Sequence, residues 1–450
     1  MSPAHDREVS TRRIRFLYGL LDAVQRRRVI ATLDAALARQ RTTAAEVERY
    51  AAQRLAALLA HARSAVPFYE ERLAGLGGDP ETLAGPAFHA IPPLEKAEIA
   101  EAGERLVARG RSDGDRGVTI VRSGGTTGVP TRIVLDRATG DAHAGAALRF
   151  HLWFGADPTR KHVMLWGPPP DENTYGFAAG RLKGRILGRV LLGTYGLTDE
   201  GARQHWQTIC TAGRIEFVVG YSSALVQVAA AARPNHPKGP DVRRAVVAAA
   251  EPIFDFQRPA IAAAFGAPVR ERYGCNEFSG IAHECRQGRL HVATDRVRLD
   301  LVREDGSPVA HGEVGEVLVT DLDNLHMPLL RYRIGDLAAW GDGCPCPLPF
   351  PVLARIHGRR RDLLHDPAGR AISPHHFAEA LDGTAARGFQ LRVDAARRVR
   401  GVDVVGPPMP LDAARERWRA LAVGDLAVRF VAGIQRSRSG KLLPVLGPGE

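Results

Sequence analysis

The sequence predicts an α/β protein: a large N-terminal domain, residues 1–358, of layered helices and strands closing in a β-rich portion, then a small C-terminal domain, residues 359–450. Three observations predict it. Between Val118 and Tyr273, short apolar runs alternate with glycine-rich turns and helical stretches, an alternation that argues an α/β architecture. From Leu290 to Trp340, strand candidates succeed one another with few helices between them. At Gly358-Arg359-Arg360-Arg361-Asp362 a polar, basic stretch suited to a linker separates the last residues from the rest.

In chain order, the first element is helical. From Thr11 to Arg63 apolar residues recur at helical spacing, Phe16, Leu20 and Val24 and then Leu55, Leu58 and Leu59, so a helical start of about 1–92 is expected. The arginines around its first part, Arg12, Arg13, Arg15, Arg26, Arg27 and Arg28, read as the solvated face of a helix packed on the core. After Pro92-Pro93, strands are expected at Val118–Val121, Arg132–Leu135, His162–Trp166, Ile215–Val219, Val246–Ala249 and Val269–Tyr273, with helices at Ala224–Ala232 and Arg258–Phe265. Val297–Val302 and Glu316–Thr320 continue the strands. Ile372-Ser373-Pro374 is a helix start, with serine at the cap and proline at the first helical position, leading into His375–Leu381.

Composition narrows the class. A chain of 450 residues with 45% hydrophobic and 25% charged residues is ordinary globular material of two to four domains. The net charge of +11 points to a polyanionic partner without naming it. No window approaches the roughly 18 to 20 apolar residues of a membrane span. The stretch Phe16 to Leu21 is short and closed by Asp22, with no small-residue cleavage site, so a secretory signal is not expected and the chain reads as cytoplasmic. Five cysteines are too few and too odd in number for a disulfide framework. Only five of the 61 basic residues are lysines, at 96, 161, 183, 238 and 441, so each retained lysine invites a reason.

The loop Ser123-Gly124-Gly125-Thr126-Thr127-Gly128-Val129-Pro130 combines three glycines with three hydroxyls directly after a predicted strand. Glycines expose backbone N–H groups and hydroxyls add donors, so such a loop can wrap phosphate oxygens; no Gly-Lys-Ser/Thr comes after it, so it is not a Walker loop. Four further motifs occur in order: Tyr273-Gly274-Cys275-Asn276-Glu277, Tyr332-Arg333-Ile334-Gly335-Asp336-Leu337, Gly358-Arg359 and Ser439-Gly440-Lys441. With the loop, they resemble the ordered motifs of the adenylate-forming superfamily of acyl-CoA ligases, adenylation domains and luciferases. Val66-Pro67-Phe68-Tyr69, Pro92-Pro93-Leu94-Glu95-Lys96 and Pro328-Leu329-Leu330-Arg331 make the phenylacetate-CoA ligase and CapK-type branch the nearest match.

The resemblance implies an adenylate-forming fold with a mobile α+β C-terminal domain, and roles residue by residue. Ser123, Gly124, Gly125, Thr126, Thr127 and Gly128 would cradle the β- and γ-phosphates of ATP, and Glu277 would hold Mg2+. Tyr273 would lie against the adenine, Gly274 would belong to the same cofactor-binding set, Asn276 would contact the α-phosphate, and Asp336 with Arg359 would bind the ribose. Lys441 would bridge the carboxylate and α-phosphate oxygens. By family position Tyr221, Ser222 and Phe278 would line the acid pocket. Two departures stand out: Asn276 replaces the usual threonine, and Arg361 stands where many relatives carry Asp or Lys at the hinge.

A second constellation concerns metal. Cys285 and His291, with Cys344 and Cys346, supply three thiols and an imidazole, the ligand set of a closed tetrahedral zinc site. Some members of the branch resemble this arrangement. Cys275 and His283 are reserve ligands, and Cys210 reads as core. The expected activity is ATP-dependent adenylation of a carboxylic acid, an aromatic one by preference, then transfer to a thiol, most simply that of CoA. The alternatives are transfer to a carrier-protein thiol, an amine or a cofactor, and a catalytically silent binding protein, against which the retention of Glu277, Asp336 and Lys441 argues. The expected partners are thus a small acid, ATP with Mg2+, CoA or a carrier thiol, and a structural Zn2+, with no nucleic acid and no membrane span; a homodimer stays open.

Overall fold

The computed structural model describes residues 11–122, 131–167, 184–232, 239–421, 426–436 and 442–448. The fold is mixed α/β, as expected. The chain divides into two compact units, one of residues 1–155 and 272–356, the other of 156–271 and 357–450. One crossing, at 356/357, falls two residues from the expected domain boundary. Both units are discontinuous in sequence, a grouping the linear reading does not contain.

The first unit begins with three helices, Arg12–Gln25, Val29–Arg39 and Ala44–Ala65. The third starts where Thr43 and Glu46 satisfy each other's backbone amides, a capping box that fixes its first turn. Leu55, Leu58 and Leu59 point into the core as expected. Phe16, Leu20 and Val24 do not: they are 66%, 53% and 83% exposed, and the first helix buries Ile14 instead, against Leu33 and Leu148. The spacing located the helix, but a period does not say which side faces inward. The strands lying wholly or mostly in this unit are ordered Val297–Val302, Val314–Asp321, Tyr332–Trp340, Val352–Arg359, Leu290–Val292, Ser279–Glu284 and Val269–Cys275. Neighbours pair antiparallel wherever the register is given, and the core includes Leu58, Phe88, Phe278, Val319 and Tyr332.

The second unit holds four parallel strands in the order Val242–Ala249, Ile215–Tyr221, His162–Leu165 and Arg189–Leu192. All seven residues of Ile215–Tyr221 are buried, as a parallel strand covered on both faces requires. Helices Asp199–Thr211, Ser222–Ala230 and Arg258–Phe265 cover it through Trp206, Leu225 and Phe265. Cys210 packs at the edge of this core, where burial raises its thiol pKa. A four-stranded sheet, Ala427–Val431, Val399–Val405, Gly388–Val393 and Val445–Leu446, contributes a further core with Trp418 and Phe377, which Phe254 and Phe256 join. The stretch read as a linker is ordered backbone: the strand runs on to Arg359, and Arg360–Asp362 is a single 3-10 turn. Among the described residues, no helix is long and apolar enough to cross a membrane.

Candidate active site

The residues from Tyr273 to Phe278 form the end of one strand and a tight turn. Val269–Cys275 pairs with Ser279–Glu284, and Cys275 faces Ser279, so Asn276, Glu277 and Phe278 make the turn. The register slips at Tyr273/Gly274, and there the backbones approach so closely that a Cβ on residue 274 would lie 2.0 Å from the Ser279 carbonyl oxygen. Only glycine fits. Ser279 turns the chain with φ of 58°, and Phe278, fully buried in the apolar core beside Tyr332, pins the turn from below. Phe278 is therefore core packing where the resemblance had it line an acid pocket.

Anchored in this way, Glu277 is 7% exposed, and burial together with its negative charge pushes the Cys275 thiol well up. The Asn276 amide donates to the carbonyl of Arg122 at 3.1 Å. Arg122 ends the strand that leads into Ser123, so this bond sets the turn beside the entry to the glycine-rich loop. Ser123 to Gly128 and Lys441 lie outside the described residues.

Asp336 sits on the strand Tyr332–Trp340, 63 positions beyond Tyr273, and the Tyr273 hydroxyl donates to its carboxylate at 2.9 Å. Both residues are buried, so two motifs far apart in sequence share one position. The segments that marked the branch hold that strand in place. Leu94 donates to the Arg331 carbonyl and accepts from the Arg333 amide, at 3.1 and 3.0 Å, while Glu95 pairs with the Arg333 guanidinium. The Tyr69 hydroxyl donates to the Pro328 carbonyl and accepts from the Leu330 amide. The side chain of Arg331, 1% exposed, donates to the carbonyls of His89 and Ile91. In sequence these motifs read as a signature; in space they are a clamp on the strand that carries Asp336.

Tyr221, Ser222 and Arg359 belong to the second unit. Arg359 is exposed at the end of its strand. Tyr221 ends the strand Ile215–Tyr221 and stacks on Trp166, centroids 4.4 Å apart, with Tyr195 at 6.5 Å. Burial, then Tyr195 and the Glu251 carboxylate, raise the Tyr221 phenol above its usual range, so it stays a neutral group at pH 7. This aromatic face was not legible in the sequence because its members lie at 166, 195 and 221. The Ser222 hydroxyl donates to the Glu251 carbonyl at 3.0 Å. Glu251, a buried carboxylate just past an apolar strand, was missed; an acid interrupting Val242–Pro252 was the available signal.

The structure brings Cys285, His291, Cys344 and Cys346 together, with all four ligand atoms within 4.8 Å of one another. The hairpin Cys285–Arg289, closed by hydrogen bonds between Cys285 and Arg289, supplies one side. The strand beginning at Val352 pairs with His291, which draws the preceding Cys344-Pro345-Cys346 loop alongside. The separations are 3.7 Å for Cys285 to Cys344 sulfur and 3.2 Å for Cys346 sulfur to His291 Nε2. A tetrahedral zinc with ordinary bond lengths would set such atoms about 3.8 and about 3.5 Å apart. His291 Nδ1 donates to the Phe350 carbonyl at 2.8 Å, which aims the Nε2 lone pair at the cluster. Burial raises the Cys346 thiol to about 12. At Cys285 burial, which alone would raise the thiol, is outweighed by the adjacent His291 side chain and by hydrogen bonds from the Arg289 and Gln287 amides, which lower it to about 6. The reserve ligands stay outside: His283 stacks between Phe150 and Phe154, and Cys275 lies in the Glu277 turn.

No family model matches the chain. It is 28% identical over 324 residues to the phenylacetate-coenzyme A ligase of Thermus thermophilus, covering 69% of this chain and 70% of that one. Protein CapK of Staphylococcus aureus is 29% identical over 153 residues, a third of either chain. Among solved structures, a 2-hydroxyisobutyryl-CoA ligase in the postadenylation state superposes with a TM-score of 0.73 at 18% identity, covering 91% of both chains. In sequence the chain is similar to the phenylacetate-coenzyme A ligases over 69% of its length, and its fold is that of the CoA ligase on which it superposes.

Proposed function

We propose that the protein activates a carboxylic acid with ATP and then passes the acyl group to the thiol of CoA. In the first step a carboxylate oxygen attacks the α-phosphorus and pyrophosphate leaves, giving acyl-AMP. In the second the thiol sulfur attacks the acyl carbon, its proton is lost and AMP leaves. Both partners of the first step are anions, so the protein's task is to neutralise charge and hold the reacting atoms in line.

The observation that carries this reading is the Tyr273–Asp336 hydrogen bond, because it joins two of the ordered motifs into one buried position, beside the Glu277 turn. In this reading Tyr273 flanks the adenine and Asp336 takes up ribose hydroxyls, with Arg359 contributing from its strand end. Ser123 to Gly128 hold the phosphates, and Lys441 meets the carboxylate and α-phosphate oxygens. Glu277 offers Mg2+ the hard oxygen that ion prefers, and its buried place beside the entry to the phosphate loop suits that role. When bound, Mg2+ would neutralise phosphate charge.

The stacked Trp166, Tyr195 and Tyr221 support a planar, apolar acid. Cys285, His291, Cys344 and Cys346 would hold a structural zinc, since four protein ligands leave no open coordination position. ATP and CoA as substrates fit work in the cytoplasm.

The test is acid-dependent pyrophosphate release across a panel of aromatic, hydroxy-aromatic and aliphatic acids, with and without CoA. One class should release pyrophosphate, CoA should accelerate AMP release, and Lys441→Ala should lose ~10³-fold in the first step. Full pyrophosphate exchange in that variant would reject the assignment.

A further inference from the structure

Glu251 joins two parts of the second unit that lie far apart in the chain. The strands Val242–Ala249 and Ile215–Tyr221 run parallel with Tyr221 opposite Ala249, so the residues just beyond each strand emerge at the same edge. After the first strand, Ala250 takes φ of 65°, a left-handed conformation uncommon for a residue with a Cβ, and the chain turns there. Glu251 comes next, 8% exposed. One of its carboxylate oxygens accepts from the Ser223 amide at 2.9 Å, in the first turn of the helix Ser222–Ala230, where a negative charge is favoured. The other accepts from the Leu442 amide at 2.7 Å, 191 positions away.

Leu442 directly succeeds Lys441 in the sequence. The far end of the same segment is tied down too. Arg436 forms an antiparallel bridge with Leu442, and its guanidinium donates to the Ser223 hydroxyl at 2.7 Å. Behind it, Gln390 accepts from the Gln435 amide and donates to the Leu443 carbonyl at 2.6 Å. Arg436 and Leu442, the described residues on either side of 437–441, are thereby held at one place, the helix start beside Glu251.

We propose that Glu251, with Ser223 and Arg436, is a positioning device for Lys441 in the adenylation step. The inference rests on the function proposed above and adds to it the group that sets where Lys441 acts. The carboxylate is suited to this because it can accept two amides at once; a glutamine at 251 offers one accepting oxygen and must give up one of the two bonds. An ammonium that has to meet two oxygens of a transient arrangement depends on placement, and a shift of about 1 Å can cost ~100-fold in rate.

A helix cap without a positioning role predicts something different: loss of stability, with both chemical steps lowered alike. The experiment therefore compares wild type, Glu251→Gln, Ser223→Ala, Arg436→Met and Lys441→Ala in the full-length protein, using the acid found active in the pyrophosphate screen. Acid-dependent ATP–pyrophosphate exchange reports the first step, and thioester formation from supplied acyl-AMP and CoA reports the second. Glu251→Gln should lose ~10- to 100-fold in exchange, with a much smaller loss in the second step. Ser223→Ala and Arg436→Met, each of which removes one contact and leaves Glu251 intact, should show the same bias less strongly. Combining Glu251→Gln with Lys441→Ala should cost no more than Lys441→Ala alone, because the first residue acts through the second. Equal losses in both steps, full exchange in Glu251→Gln, or additive losses in the double variant would overturn the proposal while leaving the proposed reaction standing. Absence of acid-dependent exchange in wild type would instead remove the reaction itself.

Discussion

At the scale of single residues, the candidate site depends on close approach as much as on charge. Gly274 matters because the Ser279 carbonyl occupies the space a side chain would need, and the turn presenting Glu277 begins two residues later. Alanine at 274 must push those backbones apart. The expected result is a stability loss of ~1–3 kcal/mol, the usual range for overpacking a tight site, with a fall in pyrophosphate release larger than the unfolded fraction explains. Urea denaturation and initial rates on the same preparation would check this; a Gly274→Ala protein with wild-type rates would mean that the turn tolerates displacement. Asn276 shows the complementary case. The resemblance assigned it to the α-phosphate, whereas its side-chain nitrogen holds the Arg122 carbonyl, so its contribution begins with joining the turn to the strand before the phosphate loop.

At the scale of elements, what the sequence displayed depended on how local the signal was. Arg258–Phe265 and Val297–Val302 appear with the expected bounds because a proline start, a terminal glycine or an alternation of apolar and charged residues are local features. Phe16, Leu20 and Val24 misled about orientation because the partner surface of the first helix, around Leu33 and Leu148, lies elsewhere in the chain. The aromatic trio and the Glu251 contacts were hidden for the same reason, each being made by pairing of distant strands. The metal cluster was legible because thiols and imidazole are chemically distinctive, although the 59 positions between Cys285 and Cys344 are bridged by strand pairing around Val352 and His291. Two loops meeting at one cluster should behave as a metal-dependent element. About one zinc per chain is expected by metal analysis, and stripping it with a chelator should lower the melting temperature, with recovery on adding zinc. A metal-free protein of unchanged stability would show the four ligands to be reduced thiols and a histidine packed together.

At the scale of the whole molecule, the surplus of arginine is balanced locally by carboxylates, several of them buried, and this couples stability to pH. Asp295 is the clearest case: its side chain is fully buried, bound through two bonds to the equally buried Arg149 and through one to Arg39. Burial alone would raise its pKa, but Arg149 and then Arg39 outweigh that and hold it below the usual aspartate value of 3.8. A carboxylate whose folded pKa is depressed stabilises the fold fully above its unfolded pKa, and this contribution disappears as pH falls through the folded value. Unfolding free energy should therefore decline from about pH 5 downward. At the same time protonation of the other acids increases the positive charge of a chain that already carries +11 at pH 7, adding self-repulsion. Asp295→Asn separates the two effects. At pH 7 it should cost ~3–5 kcal/mol, because Arg149 is left buried without its counter-charge, yet its stability should change less between about pH 5 and pH 2 than that of wild type. Urea titrations at a series of pH values should thus show two curves that converge on acidification. If they stay parallel, Asp295 is not linked to the acid transition, and general charge repulsion among the arginines accounts for it.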